Sequence, residues 1–73
     1  MEKEDFLIIL GLNIKAERVR KKLNQEQLAH LADCDRSYIG FVERGKQNPT
    51  IIKLVKISKA LDVTINDLLK GLI

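Results

Sequence analysis

An all-α bundle of five short helices is the fold this sequence predicts, and three observations carry the prediction. Apolar residues recur at helical spacing almost throughout the 73 residues. Polar residues suited to capping, at Asn24, Asp35, Thr50 and Thr64, stand just before the apolar runs. One proline and four glycines are too few to punctuate a chain of many short strands. Together they describe one compact domain over residues 1–73, with no repeat and no internal linker.

The first helix is expected from about Asp5 to Lys22. Phe6, Leu10 and Ile14 recur at four-residue spacing, with Arg18 next in the same row. Gly11 sits inside it at a cost of about 1 kcal/mol relative to alanine. Asn24 and Gln27 are spaced as a capping box for a second helix, Gln25 to Ala32, with Leu28, Leu31 and Ala32 expected inward. The turn Asp33-Cys34-Asp35 follows, and Asp35 caps a third helix from Arg36 to Arg44 that stops at a left-handed Gly45. A loop, Lys46 to Pro49, leads to Thr50, the cap of a fourth helix from Ile51 to Leu61. Its stripe holds Ile51, Leu54, Val55, Ser58 and Leu61, with Ile57 flanking. Thr64 caps the last helix, about residues 65–72, with Asp67 three residues on, where a carboxylate suits a helix N-terminus.

Composition removes several function classes. The chain is 45% hydrophobic and 32% charged, as a folded domain rather than a disordered tail would be. The single cysteine, Cys34, forms no internal disulfide. The acidic N-terminal residues and the five-residue apolar run Phe6–Leu10 fit neither a signal peptide nor a membrane span, so a cytoplasmic protein is expected. His30 and Cys34 are four apart, but two ligands do not make a structural zinc site, and no metal or other cofactor is expected. His30 has no nucleophile elbow or phosphate-cradling glycine loop beside it, so the chain does not read as an enzyme.

Two short helices joined by about three residues make a helix-turn-helix over residues 25–44, in which the second helix can be presented to the DNA major groove. The net charge of +3 is unevenly placed. Residues 15–59 hold eleven Lys/Arg against five Asp/Glu, whereas the two ends hold two against five. A basic centre therefore spans the helix pair, as an anionic partner would require.

The runs Asn24-Gln25-Glu26-Gln27-Leu28-Ala29, Asp35-Arg36-Ser37-Tyr38-Ile39, Val42-Glu43-Arg44-Gly45-Lys46, Asn48-Pro49-Thr50 and Ala60-Leu61-Asp62-Val63 resemble the XRE family. These are Cro/cI-type helix-turn-helix repressors of phages and bacteria, and the resemblance extends from about Ile14 to Leu69. It implies a lambda repressor-like DNA-binding domain and a transcriptional regulator. The residues it assigns to base edges are Arg36, Ser37 and Phe41. Arg36 can bind guanine O6 and N7 bidentately, or else meet a phosphate or solvent; Ser37 suits either a base or a phosphate. Phe41 departs from the polar residue usual in the family: it packs on a thymine methyl, or lies against the fourth helix or a partner protein. Phosphate contacts are expected from Asn24 and Gln25 at the start of the second helix, and from Tyr38, Arg44, Lys46 and Asn48. Arg18 and Glu43 match a structural ion pair that joins the first helix to the end of the third. Both stand where the apolar stripe otherwise calls for a hydrophobic residue.

Ile65, Leu68, Leu69, Leu72 and Ile73 crowd the last helix with more apolar surface than a terminal turn usually hides, the pattern of a symmetric dimer interface. Two copies would place two recognition helices about 34 Å apart on a partly palindromic double-stranded operator. A chain this short leaves no room for an effector domain, so no small-molecule ligand is expected and control would follow concentration through dimerisation. The profile suits a phage repressor, an antitoxin or a restriction–modification controller. The single-domain form and the Asp35–Ile39 run lean to the controller. The alternative is an antitoxin or protein-interaction module that uses the apolar surface of the third and fifth helices.

Overall fold

The five expected helices are all present in the computed structural model, which describes residues 1–73: α1 (Lys3–Arg20), α2 (Gln25–Leu31), α3 (Arg36–Glu43), α4 (Ile51–Ala60) and α5 (Ile65–Leu68). α3 packs on α1 and α2, α4 braces α2, and α5 closes the bundle against α1 and α4. The core is formed by Leu10 and Ile14 of α1, Leu28 and Ala29 of α2 with its C-cap Ala32, Ile39 and Val42 of α3, Leu54 and Ile57 of α4 with its C-cap Leu61, and Leu68 of α5. Every helix contributes, so removal of any one opens the same cluster.

The caps form largely as the sequence suggests. Asn24 Oδ1 accepts from the Gln27 amide at 2.7 Å while Gln27 Oε1 accepts from the Asn24 amide at 2.8 Å. Thr64 and Asp67 make the same reciprocal pair, and Thr50 Oγ1 accepts from the Lys53 amide. Asp35 occupies its N-cap position without a side-chain cap bond. Gly11 does not interrupt α1; a Cβ there would collide with the carbonyl oxygens of Val42 and Glu43, so its bareness lets α1 and the end of α3 touch backbone to backbone.

Three burial expectations are corrected. Leu31 is 56% exposed, and Ala29 is buried in its place beside Leu28 and the C-cap Ala32; the two alanines are small enough to admit neighbouring helices closely. Ile51, at the first turn of α4, is 67% exposed, and Ile57 is fully buried rather than flanking. The last helix ends at Leu68 rather than near residue 72, because Asn13 Nδ2 of α1 donates to the carbonyls of Leu68 at 2.9 Å and Lys70 at 2.8 Å. Leu68 is 0% exposed within its own chain and is withdrawn from the surface a second copy could touch. No helix is long and apolar enough to cross a membrane.

Candidate nucleic-acid interface

The eight residues of α3 divide sharply between two faces. Ile39, Gly40, Val42 and Glu43 are buried, while Arg36, Ser37 and Phe41 face outward, joined by the C-cap Arg44. Phe41 is 45% exposed, which excludes the core reading of this ring. The outward residues are one helical turn apart along a single stripe. That stripe is the one element face in the molecule that combines a guanidinium, a hydroxyl and an aromatic ring with a basic surround.

Glu43 anchors α3 in place. Arg18 grips it as a fork, Nε donating to Oε2 at 2.6 Å and Nη2 to Oε1 at 3.1 Å. The two side chains are 11% and 2% exposed, so this is a buried pair joining α1 to α3, as the resemblance implied. Arg18 Nη1 also donates to the Leu23 carbonyl at 2.8 Å, and Gln25 Nε2 donates to Glu43 Oε1 at 3.1 Å. One carboxylate thus ties α1, α2 and α3 together, and its negative charge is spent inside the protein.

The cations around α3 are placed differently. The ion pairs engage Arg18, Arg20 and Lys56, leaving Lys15, Arg36, Arg44 and Lys46 with no carboxylate within salt-bridge distance. Two recesses lie beside Gln25. The first, about 410 Å³, is lined by Arg18, Asn24, Gln25, Glu26 and Arg36. The second, about 460 Å³, is lined by Ile8, Leu12, Lys15, Gln25, Glu43 and Arg44. Of the residues expected at phosphates, Asn24, Gln25 and Arg44 border these recesses, and Lys46 and Asn48 are exposed in the loop beyond Gly45.

Two residues stand apart from the expectations. Tyr38 is half-buried and packs against the core; burial pushes its phenol up, with the Thr50 backbone acting the other way. Lys15 lines the second recess beside Arg44, yet sequence reasoning left it out because a lone lysine on a long helix carries no local pattern. His30 is exposed and burial pushes the half-buried Cys34 thiol up; no three His, Cys, Asp or Glu side chains converge anywhere in the molecule.

With this geometry in view, similarity to known proteins is informative. Residues 14–68 match the helix-turn-helix family HTH_3, and the chain belongs to that family. It is thereby one of the DNA-binding transcription regulators built on this fold. Among its relatives, the control protein C.SmaI of Serratia marcescens is 40% identical over 65 residues, covering 89% of this chain and 77% of the relative. The immunity repressor protein of Bacillus phage phi105 is 39% identical over 57 residues, covering 78% of this chain and 40% of the relative. The crystal structure of the restriction-modification controller protein C.AhdI from Aeromonas hydrophila superposes with a TM-score of 0.84 at 40% identity, over 85% of this chain and 94% of that one.

Proposed function

We propose that the protein acts as a homodimer on a pseudo-palindromic DNA operator, inserting α3 of each copy into a major groove, and that it serves as the controller of a restriction–modification system. The observation that carries the DNA reading is the division of α3. Its only acid is buried against Arg18, while Arg36, Ser37 and Phe41 face outward among cations that no carboxylate neutralises. Arg36 then reads a guanine, Ser37 a neighbouring base or phosphate, and Phe41 a thymine methyl. Asn24, Gln25, Arg44, Lys46 and Asn48 hold backbone phosphates, with Lys15 added from α1; Tyr38 contributes its exposed edge.

The controller assignment rests on relatives named as control proteins, of which C.SmaI and the similarly matched C.BamHI are covered over 77% and 78% of their length. The homodimer is supported by the end of the chain: Ile65, Leu69 and Leu72 are half-buried and Ile73 is 84% exposed, an apolar edge open to a second copy. Neither a metal nor a small molecule has a part in this reading.

The test is Arg36→Ala assayed against a duplex enriched by the wild-type protein and against its single-base variants. The substitution is expected to relax preference at one base pair by about 1–3 kcal/mol while leaving the others intact. Equal loss on every duplex would make Arg36 a phosphate contact. Weak, sequence-blind binding by the wild type, with a second protein co-purifying, would favour an interaction module instead.

A further inference from the structure

Gly40 is an unexpected residue in the middle of an eight-residue helix, where glycine is a poor helix former. The core does not demand it. A Cβ at Gly40 would meet no backbone; its nearest neighbours would be Arg44 Nη1 at 3.2 Å, Gln25 Oε1 at 3.7 Å and Gln25 Nε2 at 3.9 Å. A methyl group there would press on the guanidinium of Arg44, which would have to give way by a few tenths of an ångström. That guanidinium also lies over the Phe41 ring, with Cζ 5.1 Å from the ring centroid. Glu43, one residue away, does not neutralise it, because its oxygens are engaged by Arg18 and Gln25. Arg44 thus lies against a neutral ring and beside a bare glycine, and its own charge stays available beside the recess that it shares with Lys15.

We propose that Gly40 and Phe41 are positioning residues for Arg44: the ring supports its guanidinium and the bare glycine leaves it room, which presets it as a phosphodiester contact, so that a base-reading position and a backbone contact work as one unit. The inference rests on the DNA-binding reading above. An arginine side chain is rich in rotamers, and ordering it before the encounter removes part of the entropy that binding otherwise loses. Phe41 then has a second role besides any contact with a thymine methyl, and the glycine has a reason to be there.

The experiment measures affinity for the duplex most enriched by the wild-type protein from a random pool, at several potassium chloride concentrations. Arg44→Ala is expected to bind roughly tenfold more weakly and to flatten the slope of log affinity against log salt by about one. Gly40→Ala keeps every charge and favours the helix, so it is expected to melt at a higher temperature. It is nevertheless expected to bind more weakly than the wild type, with a slope flattened toward that of Arg44→Ala, and to add no further loss in the Arg44→Ala background. Phe41→Leu is expected to flatten the slope too, and to stop doing so once Arg44 is gone. Wild-type affinity and slope in Gly40→Ala, or losses that multiply in the double variant, would overturn the proposal while leaving DNA binding intact. If the wild-type protein enriches no duplex at all, the DNA-binding reading itself fails, and this one with it.

Discussion

At the residue scale the arrangement turns on Glu43. A carboxylate 5% exposed at the end of α3 is costly unless hydrogen bonds satisfy it, and Arg18 and Gln25 supply them. Arg18→Met would leave Glu43 buried with one neutral donor, and is expected to destabilise the fold by about 3 kcal/mol in urea denaturation. The double variant Arg18→Met/Glu43→Leu removes both charges and is expected to be more stable than the single one. If the double variant is instead the weaker, the lone Glu43 carboxylate is not left uncompensated when Arg18 is lost. This pair was legible because two charged residues occupied positions where the helical stripe calls for apolar ones. Glu17 was not legible: it too is buried, though less deeply, its Oε1 has no hydrogen-bond partner, and only Arg20 approaches it, at 3.5 Å. Nothing in its local sequence separates it from an exposed helix glutamate.

At the element scale, α1 through α4 end in the same way. The residue after each C-cap takes a left-handed backbone: Lys22 at φ 60°, Asp33 at 57°, Gly45 at 73° and Asp62 at 56°. The next amide reaches back to a carbonyl five residues earlier, as Leu23 does to Arg18 at 3.1 Å and Lys46 to Phe41 at 2.9 Å. Only one of the four is glycine, so the usual glycine signal marked only the end of α3, and even there the expected end, Arg44, lies one residue beyond Glu43; the ends expected for α1, α2 and α4 lie one or two residues beyond theirs. A lysine in this conformation is strained by about 1 kcal/mol. Lys22→Gly is therefore expected to raise the urea midpoint slightly with an unchanged slope, whereas a lowered midpoint would show that the turn bears no strain. Capping polarity was readable at short range, but Asn13 closing α5 across 55 residues of chain was not, and α5 was consequently drawn too long.

The α5 cap also sets a pH dependence. The Thr64 amide and hydroxyl hold the Asp67 carboxyl below its ordinary value of 3.8. A folded-state value below the unfolded one means that the stabilisation is complete above about pH 4 and is lost as pH falls through the lowered value. Wild type is expected to melt above Asp67→Asn at neutral pH, with the gap closing on acidification below about pH 4. A gap that stays constant into acid would remove the charge from this cap.

At the scale of the whole molecule, size and charge point the same way. Its extents are 31 × 21 × 21 Å, so one copy presents one recognition helix, whereas successive major grooves on one side of DNA are about 34 Å apart. In the proposed homodimer, a second copy docked on the edge formed by Ile65, Leu69, Leu72 and Ile73 would supply the other. The modest net charge of +3 conceals a basic centre and acidic ends. The structure sharpens that contrast, because Glu43, the one acid within α3, is neutralised by Arg18. The measurement that tests this account most directly is selection of bound sites from random duplexes by the wild-type protein, with sedimentation of the resulting complex. The expected result is an enriched inverted repeat with half-sites about 10 base pairs apart, centre to centre, bound by two copies of the chain. An enriched site without inverted symmetry, or bound by a single copy, would contradict the dimeric reading. A pool left unenriched would contradict sequence recognition by α3 altogether.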